Sequence, residues 1–421
     1  MLRHRSGVPL AVAAAIVAAG AATILLRPRS GLIDPQAVEA SAYFTADQIE
    51  RAQAFRGPQR ALGLVELGLS TAALALLALR PPRVVRRALE RASRRPYLGG
   101  AAAGAALAAG VAVLVLPIDA VQHDRAVDVG LSTQDWSPWL VDLAKSTGIG
   151  ALFAGLITAG ALVLIRRFPR HWWLPGSAGV ALIAALYIYV APVALDPLFN
   201  DFEPLPRGEL RSDVMALAER AGVDVGEVYR IDASRRTTGA NAYVGGLGHT
   251  KRVVLYDNLI EEFPPEQVRV VVAHELAHVE NRDLLRGLAW IAIVAPFGVL
   301  LIKRLTDRWA PREARGAGAS ALTVPALTLA FVLVSFAAGS AGNVLSRDVE
   351  AAADVFALRL TGDPAAFVGF ERRITVTNVS EPDPPAFFHR LFSTHPTTVE
   401  RIGIGLSAAR RQGEEGTPGG P

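Results

Sequence analysis

Residues 264–278 read Pro264-Pro265-Glu266-Gln267-Val268-Arg269-Val270-Val271-Val272-Ala273-His274-Glu275-Leu276-Ala277-His278. Proline suits the first helical position and a negative charge suits the first turn, so the stretch predicts a helix that starts at the prolines. Val268, Val270, Val271, Val272, Leu276 and Ala277 make that helix mostly apolar, and therefore buried. Side chains four apart on a helix share a face. His274 and His278 can then offer both imidazoles to one zinc ion, with Glu275 between them able to reach its bound water. Burying such polar groups without partners would cost several kcal/mol, and a metal supplies the partner.

The 421-residue chain is 51% hydrophobic, a composition that soluble proteins of this length rarely have. It contains no cysteine, which excludes disulfides and thiolate ligands, so a zinc ion must be held by His, Glu or Asp. A net charge of +4 does not suggest a nucleic-acid partner.

Seven stretches reach the about 20 apolar residues that a bilayer requires. They lie near 7–27, 61–80, 99–118, 147–166, 174–195, 284–302 and 320–343. The first follows Arg3 and Arg5 and has the flanks of a signal peptide, but its apolar run exceeds the about 7–15 residues usual there, so a retained helix is expected. Glu66 falls inside the second span, where it must face protein or water, or snorkel from a helix end. Arginines crowd the loops after the second span (Arg83, Arg86, Arg87, Arg91), the fourth (Arg166, Arg167, Arg170) and the sixth (Arg304, Arg308, Arg312), whereas the loop after the third is acidic. Seven spans put all three basic loops on one side, which the positive-inside rule makes cytoplasmic. The zinc helix then faces away from the cytoplasm.

Between the fifth and sixth spans, a helix is expected over 209–221 and strands over 228–231, 240–244 and 252–256. Gly245 to Gly248 would turn the last two into a hairpin. Catalytic zinc takes three protein ligands and leaves one position for water. The candidate third ligand is Glu350, in Ser346-Arg347-Asp348-Val349-Glu350-Ala351-Ala352-Ala353-Asp354. Glu350 and Asp354 share a helix face, so the glutamate can bind metal while the aspartate orients a ligand histidine through its ring N–H. The zinc helix sits just before one span and this segment just after the next, so a membrane hairpin brings them to the same face.

These motifs resemble the membrane-embedded zinc endopeptidases that include the type I CAAX prenyl proteases and the bacterial heat-shock membrane protease. That family continues His-Glu-x-x-His, beyond a membrane hairpin, with Ser-Arg-x-x-Glu-x-x-Ala-Asp, as here. Further resemblance lies in Tyr43-Phe44-Thr45, where Thr45 and Gln48 also form a capping box, in Gly130-Leu131-Ser132-Thr133-Gln134, in Asn241-Ala242-Tyr243 and in Ser393-Thr394-His395-Pro396 with Glu400-Arg401. The resemblance implies a mainly α, integral membrane protein: seven transmembrane helices around a chamber, with a small α+β zinc-metallopeptidase domain of the gluzincin kind. It implies one Zn2+ on His274, His278 and Glu350, Glu275 as general base, His395 as a donor to the oxyanion, and Asp354 and Arg401 as supporting groups. Asn241 would lie on a strand that pairs with extended substrate. His389, His249, His171, His123 and His4 have no motif around them and receive no role.

The expected organisation is a five-helix membrane region (1–195), a catalytic segment (196–283), a transmembrane hairpin (284–343), a second catalytic segment (344–405) and a disordered tail (406–421). The expected partners are a peptide or membrane-protein substrate and the bilayer, with the chain acting as a monomer in the cell membrane. Two alternatives stand beside a CAAX-type endopeptidase: a general quality-control protease, and a non-enzymatic seven-helix protein with structural zinc. Structural zinc is normally closed by four protein ligands, and only three are visible. The resemblance and the arginines disagree on sidedness, since the eukaryotic relatives work on the cytosolic side.

Overall fold

A computed structural model describes residues 7–246 and 251–415. The membrane region begins with α1 (Gly7–Leu26) and α2 (Ala46–Leu79), then a short basic helix, α3 (Arg83–Ala92). It continues with α4 (Pro96–Asp128), α5 (Trp136–Arg167) and α6 (Trp173–Val190), which π and 3-10 turns carry on to Leu198. The expected spans are all present: among the described residues seven helices are long and apolar enough to cross a membrane, namely α1, α2, α4, α5, α6, and α10 (Asp283–Trp309) and α11 (Val324–Thr361) further on. Several outrun the apolar stretches. α2, α4 and α5 have 34, 33 and 32 residues, about 50 Å each at 1.5 Å per residue, and so project beyond the hydrocarbon. The Thr45–Gln48 capping box is formed and starts α2.

Small residues set the bundle spacing, as expected where lipid supplies no hydrophobic drive between helices. Gly100 lies beneath Leu162, and a Cβ on Gly104 would stand 2.3 Å from Thr158 Oγ1, so α4 and α5 touch nearly backbone to backbone. α1 packs on α10 and α11, with Trp290 Nε1 donating to Thr23 Oγ1 (3.1 Å). Glu66 is half-buried.

The catalytic region is a four-stranded sheet covered by helices. Its strands are β1 (Phe202–Pro204), β2 (Glu227–Ile231), β3 (Ala242–Gly245) and β4 (Arg252–Tyr256), in the order β1-β2-β4-β3. β2 and β4 run parallel; the outer strands are antiparallel to their neighbours. The expected hairpin pairs Tyr243 with Val254; residues 247–250 of its turn lie outside the described residues. Asn241, expected within a strand, instead sits one residue before β3 and is exposed. The reason is local: its carbonyl accepts from the Tyr256 N–H, and its side chain turns back to the Ala242 N–H. β1 was not expected; it is three residues long and ends in a proline.

The helices here are α7 (Glu209–Arg220), α8 (Asp257–Glu262), α9 (Pro265–Glu280), α12 (Pro364–Thr377), α13 (Ala386–Phe392) and α14 (Thr398–Glu415). One core joins Leu217, Val228, Leu255, Val272, Leu276 and Phe367. Each such burial is worth roughly 1.5–3 kcal/mol. The tail expected to be disordered from 406 is helical to Glu415. Ile402, Ile404 and Ala408 bury one face of α14, and the chain at 34–36 crosses it, with the Gln36 N–H on the Gly403 carbonyl (3.1 Å) and Ser407 Oγ donating to the Asp34 carbonyl (2.9 Å). Residues 416–421 lie outside the described residues.

The loop between α4 and α5 docks on the catalytic region. Thr237 Oγ1 donates to the Leu131 carbonyl (2.9 Å), and Arg236 Nε to Asp142 Oδ2 (2.8 Å). At the other end of the bundle the three basic loops meet: Arg166 donates to the Ala319 carbonyl (3.0 Å), and Arg86 lies 3.9 Å from Glu313.

Candidate metal centre

α9 begins with Pro265 at its first position and buries Val268, Val270, Val271, Val272 and Leu276, which fixes its rotation about its axis. That rotation aims His274 and His278 at the same point, their rings 5.0 Å apart at 85°. The hairpin of α10 and α11 returns the chain to the same place. Glu350, on the extension of α11, lies with Oε2 3.1 Å from His274 Nε2 and Oε1 3.7 Å from His278 Nε2. One donor atom from each of the three residues lies within 4.8 Å of the other two.

A chain of charges stands behind His274. Its Nδ1 is 2.9 Å from Asp354 Oδ1. Arg401 grips that carboxylate with two N–H groups, at 2.9 and 2.5 Å, the bidentate geometry that makes such pairs strong. Glu371 Oε1 sits 2.9 Å from the far side of the same guanidinium, out of line with its N–H bonds. Burial pushes the Glu371 carboxyl up and Arg401 opposes it. Burial alone would lower the His274 imidazole, but its hydrogen bonds to Asp354 and Glu350 prevail and hold it at about 10. The cradle therefore favours positive charge where the ligands converge. Two imidazoles and a carboxylate, with no thiolate available, fit the donor set of a catalytic zinc.

His278 has a support that the sequence reading missed. Its Nδ1 lies 3.0 Å from Asp283 Oδ2, and Arg286 holds the other oxygen of Asp283. Arg282, at φ +55° and ψ +41°, turns the chain so sharply that the first residue of α10 comes back against α9. A left-handed conformation at a non-glycine residue costs about 1–2 kcal/mol, so the packing on both sides must hold it. Glu371 was also missed. Its signal was legible: Phe367, Phe370, Glu371 and Ile374 form a helical stripe with one acid in it.

Glu275 is half-buried, and among the described residues it makes no hydrogen bond or ion pair. Burial raises its carboxyl, partly offset by His274 and His278. A carboxylate so placed is suited to accept a proton. His395 comes from the loop between α13 and α14. Arg347 donates to the Ser393 carbonyl (2.8 Å) and Asn343 to the Leu391 carbonyl (2.8 Å), tying that loop to α11. His395 Nε2 then stands 3.3 Å from Glu350 Oε2, and Nδ1 is 2.9 Å from the Thr394 hydroxyl. His389 also bears on the loop, through Nε2 and the His395 carbonyl (2.9 Å). Thr397 and Glu400 exchange hydrogen bonds as a capping box, so α14 starts where Arg401 faces Asp354. Seven of the eight candidate residues thus gather in one place. Asn241 is exposed, one residue before β3, and its hydrogen bonds go to Ala242 and Tyr256.

Residues 204–404 match Peptidase family M48, and residues 35–201 match the CAAX prenyl protease N-terminal region of five membrane helices. A Bacillus subtilis protein called an uncharacterized metalloprotease, YhfN, is 31% identical over 297 residues, 69% of either chain. The chain belongs to peptidase family M48. Other relatives of this M48 peptidase include CAAX prenyl protease 1 of Saccharomyces cerevisiae, 34% identical over 35% of this chain and 32% of that one. The homologue of that enzyme in Arabidopsis thaliana is 27% identical over 65% of either chain. The crystal structure of S. mikatae Ste24p superposes with a TM-score of 0.71 at 18% identity, covering 96% of this chain and 99% of that one, which establishes the common fold. The M48 peptidase is therefore a membrane-integral metalloendopeptidase. These relatives do not favour the reading as a quality-control protease or as a non-enzymatic protein with structural zinc.

Replacing Asp283 by Ala is expected to weaken metal binding about 10–100-fold, as loss of an outer hydrogen-bond partner does at other sites. Competition with a calibrated chelator measures this, and Asp283→Asn should lose less. Unchanged affinity in both variants would show that the Asp283–His278 contact does not tune the centre.

Proposed function

We propose that this M48 peptidase is a Zn2+-dependent endopeptidase of membrane-associated or lipidated peptides, working as a monomer on the extracytoplasmic side of the cell membrane. The observation that carries the zinc chemistry is the convergence of two imidazoles and Glu350 beside an unpartnered Glu275. His274, His278 and Glu350 hold the ion, which when bound supplies a Lewis acid and acidifies a water. Glu275 takes the proton of the attacking water and delivers it to the leaving amine. The Thr394 hydroxyl lies 2.9 Å from His395 Nδ1; by donating there it would leave the proton of the neutral ring on Nε2, toward the site. That N–H steadies the developing oxyanion, an interaction worth about 3 kcal/mol in comparable sites. Asp354 holds His274 in the tautomer that leaves Nε2 free, and Arg401 holds Asp354. β3 is an edge strand, so an extended substrate can add to it, with Asn241 at its entry.

The gathering of the basic loops at the end of α10 remote from α9 supports the extracytoplasmic assignment. An alkaline phosphatase fused after α14 is expected to be active and a green fluorescent protein fused there dark; the reverse pattern would put the site in the cytoplasm. The relatives named CAAX prenyl proteases support a lipidated substrate. Purified protein should cleave a farnesylated CAAX peptide at least about tenfold faster than an unmodified membrane substrate, or ~1.4 kcal/mol of differential binding. Equal rates would remove the lipid from the substrate description while leaving the peptidase reading intact.

A further inference from the structure

Some arginines of this protein have partners within the chain and a cluster on and beside α3 does not. On the zinc side, Arg56 donates to the Asn378 and Val379 carbonyls, Arg60 to Glu381, Arg236 to Asp142 and Arg401 to Asp354. At the other end, the side chains of Arg83, Arg87, Arg91, Arg94 and Arg95 have no hydrogen bond or ion pair among the described residues. The one acid on α3, Glu90, is taken by Arg86 (2.9 Å). Arginines a turn apart repel each other, and an anion shared between them relieves that repulsion.

The surroundings indicate which anion. α3 has no buried residue; it rests against α4 and the turn at 321–323, with Leu89 and Ala92 at the edge of the core that holds Trp172 and Val324. Short connections tie it to a membrane span on either side, so it lies along the bilayer surface. Val84 is 79% exposed and Leu98 69%, which water would penalise and hydrocarbon would not. Two exposed rings stand at the same level under guanidinium groups: Tyr97 beneath Arg166 (5.9 Å) and Phe168 beneath Arg167 (5.1 Å). An aromatic ring with a cation above it is the pattern of the boundary between acyl chains and headgroups. A free phosphate would answer the arginines but not the apolar groups; a phospholipid answers both.

We propose that α3, with the Arg166–Phe168 turn, is a binding surface for the headgroups of anionic phospholipids. It recruits a patch of negative lipid to the end of the molecule opposite the zinc site, and does not depend on the catalytic reading. Polybasic helices at membrane surfaces owe their affinity to many weak phosphate contacts, so the effect should be graded with charge.

The test uses the full-length protein, purified in detergent and equilibrated with equal phosphatidylglycerol and phosphatidylcholine, with retained lipid counted by native mass spectrometry. The wild type should retain phosphatidylglycerol over phosphatidylcholine by about tenfold or more. The variant R83Q/R87Q/R91Q/R94Q, which leaves Leu89 and Ala92 in place, should fall to within about twofold. Equal retention of both lipids by the wild type, or an undiminished preference in the variant, would overturn the proposal. Displacement of the lipid by millimolar inorganic phosphate would instead make this a small-anion site and also overturn it. Should the variant not fold, molar salt added to the wild type serves the same end: screening should abolish the preference, and a preference that survives it refutes the electrostatic surface.

Discussion

Glu275→Gln is expected to lower kcat for peptide cleavage by a factor of roughly 10²–10⁴ while leaving the metal bound. The factor is what a positioned acid–base group contributes. Glutamine has the size of glutamate and the site around it is half-buried, so the swap opens no cavity in α9. None of the ligand contacts uses residue 275: His274 meets Glu350 and Asp354, and His278 meets Asp283 and Glu350. Only the capacity to take a proton is lost. Paired measurements of kcat on a fluorogenic peptide and of zinc by elemental analysis check this. Undiminished cleavage with full zinc would remove Glu275 from the chemistry, whereas loss of zinc would mean that it acts on the ligands.

Glu350→Ala is expected to empty the site. Glu350 is the one anionic donor among the three, and His274, His278 and His395 all approach its two oxygens, at 3.1, 3.7 and 3.3 Å. Removing it leaves imidazoles facing one another with no carboxylate between them, and breaking a buried charged pair costs about 3–5 kcal/mol. The loss of metal affinity should therefore exceed the about 10–100-fold expected when an outer partner is removed, and cleavage should fall with occupancy. Zinc content after dialysis is the readout. Retention at the wild-type level would exclude Glu350 as a ligand and leave Asp354 as the alternative donor on that helix.

Much of this architecture was legible along the chain, because hydropathy acts locally. Each membrane helix announces itself by its own apolar run, and His274 to His278 needs one helical turn to be read. Glu350 was further off, visible once the hairpin of α10 and α11 was taken to fold back on itself. What stayed hidden depends on contacts between distant segments. Asp283 stands one sharp turn beyond α9, and nothing in Asn281-Arg282 advertises that Arg282 adopts a left-handed conformation. Glu371 was written into an apolar stripe on α12, but its partner Arg401 lies 30 residues on. The polar composition after residue 405 argued for disorder. It misled because α14 is stabilised from outside, by the helices beneath it and by the strand of chain at 34–36.

That last contact bears on how the enzyme comes into being. A ribosome makes residues 34–36 before α14, with six of the seven membrane helices between them, and the two clasp each other. His395 and Arg401 emerge only after the residues that form all seven membrane helices. Until then Asp354 lacks its arginine and the loop of His395 does not exist. The order of synthesis thus acts as a safety catch: the nascent peptidase cannot complete its cutting apparatus before its membrane segments have been made.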